Sequence, residues 1–458
     1  MPRSSTPEFA TRAERVGQGK ALRQQAPRSA QAALALAKRA RDPVEILAQT
    51  DVGRVTALLP IRYGRMLQSP FAFLRGAAAV MAFDLAQSAV SSIRVQACGD
   101  CHVMNFGAFA TPERQLVFDL NDFDETLPAP WEWDIKRLVA SIWVAGRYCG
   151  FGERPCADAV LTSVRTYREE LAKYADWPRL QLWYAKIDAS PMIEIGGRGR
   201  TGRSSAMSTA QAAAYTAARL LPKLTEMDDG RRRIKDQPPL VYHPRREGAF
   251  KKSMGRALRR YHDSLTPERR VLLDSYQFVD AAVKVAGVGS VGTVCAIALL
   301  LAGDEDSLFL QIKQARPSVL EPYAGKSAYP NEGQRVVVGQ RLMQSASDLF
   351  LGWSRIGKPP LDFYVRQLRD MKTSIVLDNM SIGDFTRYVG YCARAVARSH
   401  AKTGDAAMIT GYLGKGDVFD QALKRFARAY ADQTEKDHAT LSKAVRAGRV
   451  RAGTDTTV

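Results

Sequence analysis

The chain of 458 residues is 46% apolar and 25% charged. That composition excludes general disorder, and the length is too great for one small core, so two lobes or two to three domains are expected. No apolar run approaches the roughly 20 residues that span a bilayer and no secretory segment opens the sequence, so a cytoplasmic protein without membrane attachment is expected. The net charge of +19 draws anions. The basic residues are nevertheless spread over the whole chain, with no RNA-binding module or zinc-finger spacing. This favours a generally basic surface over a nucleic-acid face. Six scattered cysteines predict no disulfide framework, and the heavy use of Ala, and of Arg over Lys, fits a GC-rich bacterial genome.

Residues 1–50 are polar and basic and read as a helical or partly mobile arm. Residues 51–265 begin with a helix that Ser69 caps and Pro70 opens, with Phe71, Leu74, Ala78, Met81 and Leu85 at helical spacing. Short β-rich runs then surround a polar loop over residues 93–124. Asp134 sits in the first turn of a second helix, with Ile135, Leu138, Val139 and Ile142 on one face; Val160, Leu161, Val164, Tyr167 and Leu171 mark a third. The stretch of about 175–265 is polar and irregular, with an exposed loop from Gly196 to Arg203 and a turn at Pro238-Pro239. Residues 266–372 are rich in strands, at 277–313 and 348–368. Residues 373–445 are helical: Ser381 and Asp384 form a capping box ahead of Phe385, Val389, Cys392 and Val396, Gly404 stops that helix, and Asp417 caps the next, through Leu423, Phe426 and Tyr430. Residues 446–458 read as a mobile tail.

Two constellations carry chemistry. Residues 99–107 read Gly-Asp-Cys-His-Val-Met-Asn-Phe-Gly, and residues 116–125 read Leu-Val-Phe-Asp-Leu-Asn-Asp-Phe-Asp-Glu. An Asp followed five positions later by an Asn is the catalytic-loop spacing of kinases, in which the Asp handles the acceptor hydroxyl's proton and the Asn ligates magnesium. A second Asp one hairpin later holds metal against the phosphates. The hairpin is 106–118, turning at Thr111-Pro112-Glu113, and it leads to Asp122-Phe123-Asp124. Asp100 is thus the candidate base and His102 orients the loop. Asn105 and Asp122 are candidate metal ligands, and Asp119 and Asp124 assist or, for Asp119, compete for that role. Arg75 reads as countercharge for the acidic cluster, ahead of a second reading in which it binds an anionic substrate, and Trp131 and Trp133 as core packing.

The second constellation is Gly287-Val-Gly289-Ser290-Val-Gly292-Thr-Val, after the strand-like Ala281–Ala286. Gly-x-Gly-x-x-Gly also opens dinucleotide-binding turns, which need an acidic residue at the end of the next strand. Here the next strand, Leu308-Phe309-Leu310-Gln311-Ile312, ends in Lys313, as in the kinase strand whose lysine grips the α- and β-phosphates. A dinucleotide site and a plain tight hairpin remain the alternatives. Glu321 and Glu332 are both candidates for the carboxylate that steers Lys313.

Kinases place the Gly-rich lid before the catalytic loop; here the catalytic loop comes first. The expected fold is therefore α+β, two-lobed and kinase-like, circularly permuted, with a small lobe at 266–372 and a large lobe made of 51–265 and 373–445. The helix after Asp384 should pack beneath the catalytic loop.

Cys-Gly-Asp-Cys-His-Val-Met-Asn-Phe-Gly, Phe-Asp-Leu-Asn-Asp-Phe-Asp-Glu-Thr, Pro-Trp-Glu-Trp-Asp-Ile-Lys-Arg-Leu, Gly-Val-Gly-Ser-Val-Gly-Thr and Leu-Phe-Leu-Gln-Ile-Lys-Gln-Ala together resemble the bacterial domain-of-unknown-function family 2252, over about residues 50–440. The active-site motifs in turn are similar to those of aminoglycoside and choline phosphotransferases and protein kinases. That resemblance implies ATP, Mg2+ or Mn2+, and a small-molecule or protein acceptor with a hydroxyl. It carries over Asp100 as base, Asn105 and Asp122 as metal ligands, and Lys313 as phosphate ligand. One departure is Cys98, where such enzymes usually carry His or Arg. Cys98-x-x-Cys101-His102 also matches a c-type haem attachment motif, which needs export, and a zinc half-site would need a distant partner such as Cys149 or Cys156. Two further functions share the nucleotide site: a pseudokinase-like regulator that binds nucleotide without turnover, and a nucleotidyl transferase.

Overall fold

The computed structural model describes residues 10–34, 42–195, 217–285, 287–303, 306–368, 373–378 and 380–453; the Gly196–Arg203 loop lies outside them. Among the described residues every paired strand is antiparallel, and the four longest helices pack on one another, which makes the fold α+β.

A short ribbon holds the first constellation. Strands β1 (Arg94–Ala97), β2 (Phe106–Ala110), β3 (Leu116–Leu120) and β4 (Leu127–Pro130) run through it. β1 pairs with β4 and β2 with β3. The loop after β1 and the acidic segment before β4 therefore emerge side by side. A small hairpin, β5 (Thr225–Asp228) with β6 (Arg231–Ile234), follows. The main sheet comprises β7 (Val241–Tyr242), β8 (Gln277–Lys284), β9 (Cys295–Ala302), β10 (Asp306–Ala315), β11 (Gly352–Ile356) and β12 (Leu361–Gln367), in the order β11-β12-β10-β9-β8-β7. β13 (Thr373–Ser374) adds to the edge of β2.

Strand alternation sorts the faces of the main sheet. Leu310, Ile312, Phe363 and Val365 pack with Met254, Ala257, Leu258 and Tyr261 of the Glu247–His262 helix. That helix lies in the stretch expected to be irregular; its apolar residues keep helical spacing but are diluted by Lys and Arg, which hides the pattern. The opposite face carries Gln311 and Lys313, whose cross-strand partners on β12 are Arg366 and Tyr364, and Tyr364 joins the largest apolar core.

The largest apolar core is built on the helices Trp131–Tyr148, Glu153–Ala175, Ile382–Thr403 and Val418–Arg446. Trp131 is fully buried and stacks on Tyr167 at 5.8 Å. Ser381 caps the Ile382–Thr403 helix by accepting from Asp384 N–H at 3.1 Å. The helix expected over 70–85 is two, Pro70–Gly76 and Ala78–Leu85, broken at Ala77 (φ −111°, ψ 35°). Gly76 approaches so closely that a Cβ there would meet Met66 at 2.7 Å. The Leu74 carbonyl, which accepts from Ala77 N–H at 3.2 Å, also accepts from Arg137 Nη2 at 2.6 Å.

Candidate functional site

The loop after β1 is held from below by the helix that follows β4. Asp134 accepts from the N–H groups of Cys98 (2.7 Å) and Gly99 (2.9 Å), and His400 Nε2 lies 3.2 Å from the same carboxylate. Tyr167 Oη is 2.9 Å from His400 Nδ1, which extends this buried chain of polar contacts. Tyr388, on the Ile382–Thr403 helix, donates to the Val103 carbonyl. That helix thus packs beneath the loop, although almost three hundred residues of sequence separate Tyr388 from Val103. Gly99 has a positive φ of 83°, and a Cβ there would meet the Glu125 carbonyl oxygen at 2.4 Å, so this position requires glycine.

Asp100 receives Arg137 on one oxygen: Nε at 2.9 Å and Nη2 at 2.6 Å both donate to Oδ1. Its Oδ2 lies 3.7 Å from His102 Nε2. Burial pushes the His102 imidazole down to about 4, so it is neutral near pH 7, and its Nδ1 is buried without a hydrogen-bond partner. Asn105 joins the two segments. Its Nδ2 donates to the carbonyls of Asp122 (3.0 Å) and Asp100 (3.1 Å), and its Oδ1 accepts from Asp122 N–H at 2.7 Å. Cys98, at the departure noted above, is fully buried and donates to the Asp122 carbonyl at 3.4 Å.

Lys313 arrives from the main sheet. Its Nζ pairs with Asp124 and lies 3.7 Å from Asp122. Tyr364 Oη donates to the other Asp124 oxygen at 2.8 Å. Burial works to lower the ammonium's pKa, but Asp122 and Asp124 outweigh it and hold the value well above the ordinary one. Burial, and then the neighbouring Asp122, raise the Asp124 carboxyl. Burial also pushes Glu125 up to about 7, while its Oε2 accepts from Val319 N–H at 2.7 Å.

The Gly-rich segment is the turn of the β8–β9 hairpin, with positive φ at Gly287 (78°) and Gly292 (88°). Three donors from residues 54–65 hold its carbonyls: Arg65 Nη1 to Gly287 (2.5 Å), Arg54 Nη1 to Val291 (2.5 Å) and Val55 N–H to Gly292 (2.7 Å). The segment covers a cavity of about 370 Å³, into which Gly287, Gly289, Ser290, Asp100, His102, Asn105, Asp122 and Asp124 all project.

Three predicted site residues are placed elsewhere. Asp119 is fully buried, and both its oxygens are taken: Arg398 binds them at 2.7 and 2.8 Å, and Ser345 donates N–H and Oγ–H to Oδ2. It ties β3 to the Ile382–Thr403 helix and has no oxygen left for a metal. Glu332 pairs with Arg335 at 2.7 Å, and its N–H donates to Asp362, two residues along β12 from the cross-strand neighbour of Lys313. Glu321 accepts from Ser327 N–H. The carboxylates at Lys313 are instead Asp124 and Asp122. Arg75 forms no ion pair with the acidic cluster among the described residues; that countercharge comes from Arg137 and Lys313.

Residues 54–444 match the model of a family described as an uncharacterized protein conserved in bacteria (DUF2252). The chain belongs to that family. The matched span takes in both halves of the candidate site, from Arg54 beside the Gly-rich turn to the helix beneath the loop. No curated protein and no solved structure matches the chain. Within this DUF2252 chain no helix of the described residues is long and apolar enough to cross a membrane.

Proposed function

We propose that the chain is an ATP- and Mg2+-dependent phosphotransferase that acts on a hydroxyl acceptor, through a two-lobed, circularly permuted kinase-like arrangement. The observation that carries this reading is the pairing of Lys313 with Asp124, 189 residues apart, beside Asp122 and at the edge of a cavity shared by Asp100, Asn105 and the Gly-rich turn. The sheet supports it too. The Gly-rich hairpin β8–β9, the lysine strand β10, the Glu332–Met343 helix, and then β11 and β12 follow one another as the parts of a kinase small lobe do.

In this reading the triphosphate lies under the Gly287–Thr293 turn. The donor set suits magnesium, which prefers hard oxygen ligands. Asp122 is exposed to solvent on one side, Asn105 keeps a second lone pair on Oδ1, and the crowding of Asp122 against Asp124 is relieved by a cation. A magnesium ion held by Asn105 and Asp122 would neutralise charge on the transferring group. Asp100 Oδ2 accepts the acceptor's hydroxyl proton. The acceptor oxygen bonds to the γ-phosphorus as the bond to the β-phosphate oxygen breaks, and ADP leaves with that electron pair. Arg137 fixes the carboxylate's orientation from the far oxygen. Asp124 takes the place of the helix-borne glutamate that steers the lysine in kinases.

The test is product analysis after incubation with Mg2+ and ATP. Slow release of ADP to water is expected, reduced about a hundredfold or more in Asp100→Asn, the usual size of a lost general base. Pyrophosphate as the product would indicate nucleotidyl transfer, and bound but unconsumed ATP would indicate a regulator; either overturns the proposal.

A further inference from the structure

The lining of the cavity carries two kinds of charge, and they are not balanced in the same way. Of its carboxylates, Asp100 is compensated from behind by Arg137, and Asp122 and Asp124 by Lys313; Glu125 lines it too. Arg54, Arg75 and Arg316 also line it. Arg54 donates to the carbonyls of Thr50 and Val291, and Arg316 to those of Thr50 and Val52. Among the described residues none of these three guanidinium groups forms an ion pair with a carboxylate, whereas the fourth lining arginine, Arg62, is paired with Asp51. All three are half-buried, and Arg75 Nε is shut off from solvent without a hydrogen-bond partner. Burial lowers all three, and Arg54, with Arg62 and Arg316 adding to the effect, is pushed down to about 9.

Asp51 and Glu125 act on Arg54 and Arg316, and Asp100 on Arg75, but only from a distance, and half-buried guanidiniums with no carboxylate in contact are unfavourable unless a ligand supplies the charge. Their forked N–H groups match the oxygens of a phosphate. Arg75 stands on the reacting side of the cavity. Asp100 is the carboxylate that acts on it most strongly, and its helix end is strapped by Arg137 through the Leu74 carbonyl. The tip of the Gly-rich turn rests on it, since a Cβ on Gly289 would lie 3.4 Å from the Arg75 carbonyl oxygen. A neutral sugar would leave these groups uncompensated. A cationic acceptor, such as an aminoglycoside or choline, would be repelled.

We propose that the acceptor is an anionic alcohol, a phosphate monoester bearing a free hydroxyl, and that Arg75 binds its phosphate with Arg54 and Arg316 assisting. The identification of this anion as the acceptor's rests on the phosphotransferase reading. The hydroxyl of such a molecule is delivered to Asp100 while its phosphate is held by Arg75.

The experiment is a calorimetric titration of inorganic phosphate into the full chain saturated with ATP and Mg2+, at constant ionic strength. Acetate is the control, and Arg75→Gln and Arg316→Gln are the variants. Saturable phosphate binding is expected, weakened tenfold or more in Arg75→Gln and less in Arg316→Gln, with no binding of acetate. Phosphate that displaces ATP would overturn the proposal, because the arginines would then serve the nucleotide. Absent binding, or equal binding of acetate, would overturn it as well. Phosphate held through Arg75 by a protein that takes no ATP would support the anion site while overturning the phosphotransferase reading.

Discussion

Asp100, Asp119 and Asp134 are chemically identical and are set to different work by their neighbours. Asp119 spends both oxygens on Arg398 and Ser345 in the fully buried interior. Asp134 spends its own on two backbone N–H groups and His400. Only Asp100 keeps an oxygen, Oδ2, facing a polar cavity. Beside Asp119, Lys402 is a buried ammonium that donates to the Gln344 carbonyl at 2.7 Å and sits over the Trp183 ring at 4.6 Å. Burial, then Arg398, push it down to about 8 from 10.5. Between those two values the unfolded chain binds more protons than the folded one, so stability rises with pH across the window and is flat below it. Relative to Lys402→Met, the wild type should gain up to about 3 kcal/mol between pH 8 and 10.5, read from urea midpoints. Parallel pH profiles for the two proteins would refute this.

At the scale of elements, the Gly-rich hairpin is clamped rather than free. Arg54, Arg65 and Val55 N–H hold three of its carbonyls from a segment more than two hundred residues away. Arg65→Ala removes one clamp and should speed backbone hydrogen exchange in residues 287–294 several-fold while leaving β9 unchanged, because local opening is controlled by the bonds that close it; uniform acceleration across the sheet would instead point to global destabilisation. The local signals for these elements were legible. Gly-rich turn, lysine strand, Ser381 cap and the Thr111–Glu113 hairpin turn all act within a few residues of themselves. What was not legible is rotation. The sequence of the Glu332–Met343 helix cannot tell which of its charges faces Lys313; Arg335, not Glu332, turns inward, to the carbonyls of Thr126, Asp124 and Arg316. Likewise the break at Ala77 depends on the close approach of Met66 to Gly76, and no propensity encodes that contact.

At the scale of the whole molecule, the proposed site joins two segments far apart in the chain, and in the phosphotransferase reading they come in reverse of the kinase order. Residues 94–130 supply Asp100, Asn105, Asp122 and Asp124; residues 277–315 supply the Gly-rich turn and Lys313. Sequence motifs named these residues because each motif is local. Asp134, Arg137 and Tyr364 complete the site only through tertiary approach, and their signal in the sequence is no more than a charged residue in a first helical turn or an aromatic residue in a strand. Chain reversal of this kind is compatible with one fold when the linked ends lie on exposed connections, and the central claim is that the two halves bind one nucleotide. The most direct measurement is calorimetry of ATP binding in Mg2+ for the wild type, Lys313→Ala and Asp122→Ala. Binding by the wild type and its loss, tenfold or more, in both variants is the predicted result. A wild type that binds no ATP with Mg2+ or Mn2+, or variants from the two halves that bind as it does, would contradict the account.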